Sequence, residues 1–391
     1  MNNQISELLT RGVEEVIDKE HLEARLRGKD KLRIKLGIDP TSPNIHIGRA
    51  VLLLKLRAFQ DAGHTAIFIV GDSTGLVGDT SDKESERPML TEKIIQTNMK
   101  TYFEQAYKIL DKKKIEVYHN SEWLNKLGFF ELAKMANLFG LHEMETREVI
   151  ARRLKAGKIV SIHEAMYPLL QGYDSVAVKA DLELGGTDQR FNLLAGRRIQ
   201  KFYGQEPQDI LMMPLMEGTD GRKMSSSWGN VINITDEPEE MFGKVMSVDD
   251  SLIKKYFILA TRLPLAEVDD VISSNKNPKD QKVVLALAIT ALYHGNKLAE
   301  EAKAGFTAQF SKKELPKNIP VVELNIQTGK LAQILKLSGA IESITMGRIL
   351  IEQGGIDVDG QTVKENIDIE LGPEPKLFKV GKRKFVRIKR K

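Results

Sequence analysis

Short apolar segments that alternate with helical patterns constrain the fold of this chain more than any other feature. Strand patterns are predicted at residues 32–38, 66–72, 114–120, 180–186 and 209–214, and helical patterns separate them. This alternation predicts an α/β domain with a parallel sheet and right-handed crossover connections. The wide gap between the third and fourth strands indicates a helical insertion. Ligands of such sheets bind at the carboxyl ends of the strands.

The rest of the chain divides into regions of different composition. Residues 1–30 predict a charged amphipathic helix, and residues 236–310 contain helical patterns without strands. The segment 311–320 is rich in proline and lysine, which is typical of a linker. The predicted domains are residues 1–235, the α/β domain with its insertion; 236–312, a helical domain; 313–325, a linker; and 326–391, a small α+β domain.

The composition excludes several classes of site and protein. The 391 residues include no cysteine, which excludes disulfides and thiolate metal sites. No apolar run approaches the roughly 18 residues that span a bilayer, and the first residues lack a secretory pattern. We therefore expect a cytoplasmic protein without a membrane partner. The net charge of +4 is too small to indicate nucleic-acid binding by itself.

Positive charge is concentrated at the C-terminus. The last sixteen residues, KLFKVGKRKFVRIKRK, contain nine Lys or Arg and no acid, and apolar residues are interleaved with them. This alternation predicts a strand with one buried face and one basic face, and a basic face is typical of a polyanion-binding module. A solvated basic tail is the alternative interpretation.

Two polar loops predict a nucleotide site. In GIDPTSPNIHIGR, residues 37–49, Pro40 and Pro43 prevent a continuous strand and predict a turn into a helix N-terminus, where phosphates are commonly bound. In DGRKMSSSWGN, residues 220–230, cations and serines form a loop that could close over a triphosphate. Alone, His46 could simply cap a helix and the second loop could be ordinary surface. Together they favour nucleotide binding.

These loops resemble the His-Ile-Gly-His and Lys-Met-Ser-Lys-Ser motifs of class I aminoacyl-tRNA synthetases. Over nearly the whole chain, the sequence resembles the bacterial tyrosyl-tRNA synthetases, and its C-terminal segment resembles the RNA-binding module shared with ribosomal protein S-four. The family's motifs occur in order as GIDPTSPNIHIGR, VGDSTGLVGDTSDKESER, YPLLQGYDS, LGGTDQRFN and KMSSSWGN. The resemblance implies a Rossmann-like parallel-sheet catalytic domain, then an α-helical anticodon-side domain and a small α+β RNA-binding domain.

The resemblance also implies the reaction and its partners. The family activates L-tyrosine with ATP to tyrosyl-adenylate and pyrophosphate, then transfers the tyrosyl group to the 3′ end of tRNA(Tyr). Mg²⁺ is expected with ATP, whereas a dedicated metal site and a tightly bound cofactor are not. Family members are homodimers, and the apolar-rich stretch FFELAKMANLFGLHEM, residues 129–144, is a candidate interface. An ordinary buried helix is the alternative for this stretch.

The resemblance assigns residues to the ATP end of the site. Thr41 and His46 would contact the γ-phosphate region, and Gly48 would let the adenine approach the helix backbone. The catalytic residues implied are Thr41, His46, Lys83, Arg87 and Lys223, of which the last three would stabilise departing pyrophosphate. The ATP-binding residues implied are Asp39, His46, Gly48, Arg49, Lys223, Met224, Ser225 and Ser226.

A second group of residues is implied for tyrosine. Tyr167, Gln171 and Asp174 are spaced i, i+4 and i+7, so one helix face presents all three. By resemblance, Asp79, Tyr167 and Gln171 would hold the substrate ammonium group. Asp174 would accept a hydrogen bond from the phenol, and Gln189 would orient the carboxylate. Without the neighbouring motifs, Tyr167 could be a core aromatic residue and Asp174 a helix cap.

Three positions depart from the family pattern. Arg49 replaces the second motif histidine, Ser226 replaces the second motif lysine, and Lys35 or Leu36 stands where many relatives have another phenol-binding tyrosine. Specificity for tyrosine is therefore expected to depend more on Asp174.

Two alternative functions remain. One is a tryptophanyl enzyme with the same sheet and loops, and the other is a synthetase-derived RNA-binding protein that has lost the activation step.

Overall fold

The computed structural model describes residues 2–79, 89–275, 277–311, 319–381 and 384–391. The chain divides into two compact units, Met1–Lys303 and Ala304–Lys391. The strands are β1 Glu15–Ile17, β2 Arg33–Ile38, β3 Thr65–Val70, β4 Ile115–His119, β5 Leu182–Gly186, β6 Asp209–Met213, β7 Val321–Leu324, β8 Thr328–Lys330, β9 Ile356–Val358, β10 Gln361–Val363, β11 Asp368–Glu370, β12 Lys376–Val380 and β13 Lys384–Arg390.

The first unit contains one sheet, and its α-helices lie before, between and after the strands of that sheet in the chain. They are α1 Asn2–Thr10, α2 Lys19–Arg27, α3 Ile47–Asp61, α4 Asp72–Val77, α5 Glu92–Met99, α6 Tyr102–Ala106, α7 Ser121–Leu124, α8 Phe129–Ala136, α9 Leu141–Glu145, α10 Glu148–Lys155, α11 Ile162–Val178, α12 Arg190–Phe202, α13 Pro238–Met246, α14 Ile253–Ala260, α15 Leu265–Ser274, α16 Pro278–His294 and α17 Asn296–Ser311, which ends in the second unit. The second unit also contains α18 Leu331–Leu337 and α19 Ile344–Glu352.

The sheet of the first unit confirms the predicted α/β class. Its strand order is β1-β6-β5-β2-β3-β4, and the strands from β6 to β4 are parallel. The order reverses between β2 and β5, because the chain proceeds from β2 toward β3 in one direction and from β5 toward β6 in the other. Parallel strands require crossover connections, which the intervening helices supply. The reversal leaves a crevice at the carboxyl ends of β2 and β5.

Mostly apolar runs explain why β3 and β6 form, whereas β5 carries the charged Glu183 within a buried strand. All residues of β5 and β6 are buried, as are all but the first residue of β3. Strands covered by helices on both faces have such runs instead of an alternating pattern. The five strands predicted from short apolar or alternating patterns agree with β2 to β6 to within a few residues. Where β2 ends, Pro40 and Pro43 fall in the predicted turn, and α3 begins directly after it at Ile47.

The N-terminal prediction is wrong in one respect. A single helix was predicted over residues 1–30, but the chain forms α1 and α2 with β1 between them. Strand β1 pairs antiparallel with β6, with Val16 opposite Leu211. With three residues, β1 is too short for an apolar periodicity to reveal it. The insertion between β4 and β5 is helical as predicted, although it contains the four short helices α7 to α10.

The second unit contains a small α+β fold. Its main sheet has the order β10-β9-β12-β13-β7, and β8 pairs with β11 separately. The core includes Leu331, Leu335, Phe378 and Ile388. The basic C-terminus was predicted as one alternating strand, but it forms the antiparallel pair β12 and β13. Part of the predicted linker also belongs to this fold, because β7 pairs in parallel with β13, while residues 313–318 lie outside the described residues.

Within the described part of the chain, none of the helices combines the length and the apolar character that crossing a membrane requires.

A buried lysine connects α3 to α1. The Nζ atom of Lys55 donates to the backbone oxygens of Leu8 at 3.0 Å and Arg11 at 2.7 Å, and so caps the end of α1. Burial lowers the pKa of Lys55 to about 7. The unfolded chain retains this proton up to a higher pH, so the free energy of unfolding rises with pH above 7.

Replacing Lys55 with Met tests this linkage. From pH 7 to pH 9, the free energy of unfolding of the native protein should rise by about 2 kcal/mol more than that of Lys55→Met, because one pKa unit corresponds to about 1.4 kcal/mol. Urea denaturation at both pH values measures the difference, and Lys254→Met on the exposed face of α14 is the control. If the free energy of unfolding changed equally with pH in the native protein and in Lys55→Met, the buried amine of Lys55 would not be the source of the pH dependence.

Candidate active site

A cavity of about 310 Å³ lies in the crevice between β2 and β5. All the site residues predicted from the sequence line it, apart from Lys83 and Arg87, which lie outside the described residues. The residues brought together are Asp39, Thr41, His46, Gly48, Arg49, Asp79, Tyr167, Gln171, Asp174, Gln189, Lys223, Met224, Ser225 and Ser226. Segments far apart in the chain therefore contribute to one site.

His46 begins α3 and is largely buried. It occupies the N-cap position, yet its side chain makes no capping hydrogen bond and its Nδ1 atom has no hydrogen-bond partner. Burial, with the cations of Arg49 and Lys223 nearby, lowers the pKa of His46 to about 3. The imidazole is therefore neutral at pH 7 and can donate one N–H group. Its position at a helix N-terminus suits an anionic ligand.

Arg49 stabilises the loop that leads into α3. Its guanidinium donates to the Thr41 hydroxyl at 2.9 Å, to the Asp39 backbone oxygen at 3.2 Å and to the Tyr102 hydroxyl at 3.1 Å. Tyr102 in turn donates to the Ser42 backbone oxygen at 2.8 Å. The arginine that replaces the second motif histidine thus holds the turn that presents Thr41 to the cavity.

Asp39 connects the end of β2 to two other elements. Its Oδ1 atom accepts a hydrogen bond from Thr74 at 2.7 Å, and its Oδ2 atom accepts one from the Tyr167 hydroxyl at 2.8 Å. Gly71 is required beside it, because a Cβ atom there would lie 2.0 Å from Asp39 Oδ1 and 2.3 Å from Thr74 Oγ1. The Tyr167 hydroxyl is therefore held in a fixed position at the cavity wall.

Asp79 and Gln189 form a second polar cluster in the cavity wall. The Gln189 Nε2 atom donates to Asp79 Oδ2 at 2.6 Å, and the Gln189 Oε1 atom accepts from Asn192 at 2.9 Å. These two contacts fix the orientation of the Gln189 amide. Arg147 approaches Asp79 Oδ1 at 4.0 Å. The cluster thus places a carboxylate where a substrate ammonium group could pair with it.

Asp174 is a buried carboxylate in the cavity lining. Its Oδ1 atom accepts from the Trp123 indole at 2.7 Å, and its Oδ2 atom accepts from the Asn120 amide at 3.2 Å. Burial raises the pKa of Asp174 to about 7, although the nearby Lys35 cation opposes this shift. Trp123 and Asn120 hold the carboxylate in one orientation, and its remaining lone pairs can accept a hydrogen bond from a ligand.

The loop 220–230 lies against the other side of the cavity. Lys223 Nζ donates to Asp188 Oδ2 at 2.9 Å, the Met224 side chain is buried, and the Ser225 backbone N–H donates to Asn230 at 2.8 Å. Ser226 Oγ approaches Ser42 Oγ at 3.3 Å, so the loop contacts the turn before α3. The two predicted nucleotide-binding loops therefore meet at the wall of the cavity.

Sequence reasoning missed several supporting residues. Asn120 and Trp123 follow β4 and bind Asp174, and Asp188 binds Lys223. Their positions just after strand ends of a parallel sheet were the available signal. Lys35 and Glu183 were missed as a pair because their proximity depends on the register between β2 and β5, where they are direct partners.

The structure also brings together three potential metal ligands outside the cavity lining. Ligand atoms of Asp18, His21 and Asp209 lie within 4.8 Å of one another. However, Arg25 Nη1 lies 3.8 Å from Asp209 Oδ2, and this positive charge opposes a bound cation. The hydrogen bond to Asp209 raises the pKa of His21, so protonation of the histidine competes with metal binding.

Comparisons with known proteins agree with this geometry. A sequence model of the family described as tRNA synthetases class I (W and Y) matches residues 27–311. The tyrosine–tRNA ligase of Thermotoga maritima is 46% identical over 389 residues, which cover 97% of this chain and 96% of that protein. The chain belongs to the tyrosine–tRNA ligase family. The tyrosine–tRNA ligase of Coxiella burnetii is 44% identical over 390 residues, with 98% of each chain covered.

Solved structures share the fold. The C-terminally truncated mitochondrial tyrosyl-tRNA synthetase of Coccidioides posadasii aligns with a TM-score of 0.64 at 23% identity, covering 77% of this chain and 91% of that one. The tyrosyl-tRNA synthetase of Archaeoglobus fulgidus, solved with L-tyrosine, aligns with a TM-score of 0.61 at 23% identity, covering 77% and 99%. At this identity the similarity establishes the architecture.

Gly71→Ala tests the packing beside Asp39. The added methyl group would force Asp39 and Thr74 apart, so we expect the free energy of unfolding to fall by about 1–3 kcal/mol, as for other overpacked sites. Urea denaturation measures the change. Gly128→Ala is the matched control, because a Cβ atom at Gly128 meets nothing within 4 Å. Equal free energies of unfolding for the two variants would show that Asp39 can move to accommodate the methyl group without loss of stability.

Proposed function

We propose that the cavity binds tyrosine and ATP side by side for the two-step charging of tRNA(Tyr). The family relationship supports the reaction, in which the tyrosine carboxylate attacks the ATP α-phosphate and the tyrosyl group then passes to tRNA. The observation that carries the assignment is Asp174, a buried carboxylate in the same cavity as both nucleotide-binding loops. Because the substrate carboxylate is the nucleophile, the protein chiefly orients the reactants and stabilises charge.

Tyrosine would bind in the inner part of the cavity. Its phenol would donate to Asp174, and its ammonium group would lie among Asp79, Tyr167 and Gln171, which carry oxygen acceptors. Gln189 would orient the carboxylate toward the nucleotide. Phenylalanine offers Asp174 no donor, and an unpaired buried acceptor is unfavourable, so this arrangement disfavours phenylalanine.

ATP would bind between the two loops. His46 would donate its N–H to the γ-phosphate region beside Thr41, and Gly48 would admit the adenine close to the start of α3. Arg49 and Lys223 supply cations at the cavity, while Met224, Ser225 and Ser226 line it. Lys83 and Arg87 are proposed from the sequence to stabilise pyrophosphate. ATP would enter as its Mg²⁺ complex, with the phosphates and water supplying most metal ligands.

The C-terminal unit would bind tRNA. Lys384, Arg387 and Arg390 are exposed on β13, whereas Val386 and Ile388 on the same strand are buried. This division supports the predicted basic face on a folded module and disfavours a disordered basic tail. Phosphate contacts from such a face are independent of base sequence and weaken with salt. The similarity to the ribosomal protein S-four module stays a proposal from the sequence.

Pyrophosphate exchange tests the proposed function. The native protein should exchange pyrophosphate into ATP with tyrosine but not with phenylalanine or tryptophan. At pH 8, above the pKa of about 7 for Asp174, kcat/KM for tyrosine in Asp174→Ala should fall about 10- to 150-fold, because a hydrogen bond to a charged group contributes about 1.5–3 kcal/mol. The preference for tyrosine over phenylalanine should shrink in parallel.

The matched control for this experiment is Asp72→Ala. Asp72 accepts hydrogen bonds from Ser121 in the same region, yet it is not part of the cavity lining. We therefore expect Asp72→Ala to keep the native rate of exchange.

Two outcomes of the exchange assay would contradict the proposed function. Exchange with tryptophan alone would favour a tryptophanyl enzyme. No exchange with any amino acid would favour a synthetase-derived RNA-binding protein.

We also propose that two copies of the chain associate through the insertion. Phe129, Phe130, Leu141, Ile159 and Ile162 are 70–84% exposed in the single chain. An exposed apolar group of this size is typical of a protein interface. The exposure favours the interface interpretation of residues 129–144 over the alternative of an ordinary buried helix.

Phe130→Asp tests the interface. A charge in an apolar interface loses hydration without a partner, so the variant should be monomeric at a concentration where the native protein is dimeric. Sedimentation velocity measures the change. Leu298→Asp is the control, since Leu298 is an exposed apolar residue of α17 outside the insertion. A monomeric native protein would refute the proposed dimer.

A further inference from the structure

A charged pair lies at the floor of the cavity. Lys35 on β2 and Glu183 on β5 are direct partners in the sheet register, and their side chains are 1% and 2% exposed. Lys35 Nζ lies 2.9 Å from Glu183 Oε1. Both residues line the cavity with the proposed tyrosine-binding residues. The pair stands where the sequence comparison suggested a departure from the family's phenol-binding tyrosine.

Hydrogen bonds connect this pair to α11. Lys35 Nζ donates to the Gln171 backbone oxygen at 2.9 Å and to the Ser175 hydroxyl at 2.8 Å. Glu183 Oε1 accepts from the Gln171 side-chain Nε2 at 3.1 Å, and Glu183 Oε2 accepts from Ser175 and Gln208. Lysine therefore holds the helix backbone, while the glutamate holds the side-chain amide of Gln171.

The chemistry of the carboxylate decides how that amide is oriented. An ionised carboxylate only accepts hydrogen bonds, whereas an amide has a donor end and an acceptor end. Glu183 can therefore bind only the NH₂ group of Gln171, which leaves the Oε1 atom as the amide end available to the cavity. Lys35 pairs directly with this carboxylate, with Nζ 2.9 Å from Glu183 Oε1. A neutral partner with both donor and acceptor atoms would permit either orientation.

We propose that the Lys35–Glu183 pair is a positioning device that turns the oxygen of Gln171 toward the substrate ammonium group. The inference rests on the proposed function, which places that ammonium group beside Gln171. The pair thereby selects ligands with a primary amine, because the reversed amide would direct N–H groups at a cation. Lys35 and Glu183 act through Gln171 and do not touch the reacting atoms.

Stability alone does not account for the pair. Replacing a buried ion pair with apolar residues of similar volume is often neutral or stabilising, whereas removal of one partner leaves a buried unpaired charge. A buried ion pair directly beneath a substrate cavity is therefore better explained by its orientation of the Gln171 amide. Variants that change both residues together separate orientation from folding.

The decisive experiment exchanges the two residues. In Lys35→Glu/Glu183→Lys the ion pair is retained, but the group facing Gln171 becomes a donor and binds the amide oxygen. Affinity for tyrosine and tyrosinol should fall about 10- to 150-fold, the range for losing a hydrogen bond to a charged group. Affinity for 3-(4-hydroxyphenyl)propionate, which lacks the ammonium group, should fall much less, because the exchange affects it only through the Lys35 and Glu183 charges near Asp174. Calorimetric titration measures all three ligands.

A second double variant protects the test against misfolding. In Lys35→Met/Glu183→Leu the charges are absent and the Gln171 amide has no carboxylate to orient it, so tyrosine and tyrosinol should bind about five-fold or more weakly. The control is Arg33→Met/Glu116→Leu, which removes a more exposed ion pair between β2 and β4, at 2.7 Å, outside the cavity lining. Thermal melting identifies which variants are folded.

The outcomes separate the inference from the proposed function. Selective loss of the two amine ligands in a folded variant supports the positioning role. Equal loss of all three ligands, or no loss, overturns it. If the native protein itself shows no tyrosine-dependent pyrophosphate exchange, the proposed function fails independently of any Lys35 or Glu183 variant.

Discussion

The reversal of strand order between β2 and β5 is the constraint on which the site depends. Adjacent parallel strands whose connections leave in opposite directions cannot be covered by one helix at their carboxyl ends, so a crevice remains. The turn to His46 continues β2, and the segment of Gln189 continues β5. Long crossovers then bring α11 and the loop 220–230 to the same crevice. Topology thus places the residues before any of them contacts a substrate.

Burial imposes a second requirement, that each polar side chain in the crevice has a partner. Tyr167 is held by Asp39, Gln189 by Asp79, and Asp174 by Trp123. Such contacts fix side-chain geometry in the absence of substrate, and an orientation established beforehand need not be reached during the reaction. The Nδ1 atom of His46, buried and without a hydrogen-bond partner, is an exception that fits a donor or acceptor awaiting a ligand.

The sequence allowed prediction of the central sheet because long apolar runs have few alternative structures. It did not reveal β1, whose three residues carry no periodicity, or the division of the C-terminal segment into β12 and β13. The ordered motifs predicted which residues line the cavity. They did not reveal Glu183, because its pairing with Lys35 follows from register across β2 and β5, and register is set by the whole sheet.

The two departures in the nucleotide-binding loops fit one electrostatic arrangement. Burial lowers the pKa of His46, and the nearby Arg49 and Lys223 cations lower it further. In the proposed site, Arg49 and Lys223 would carry the positive charge for phosphate binding, while neutral His46 would donate a directed hydrogen bond. Arg49 holds Thr41, and Lys223 is balanced by Asp188. A triphosphate carries more negative charge than one carboxylate, so ATP would draw Lys223 away from Asp188 and move the loop 220–230 with it. In this proposed arrangement Arg49 would supply the positive charge that Ser226 does not, because both Arg49 and Ser226 line the same cavity.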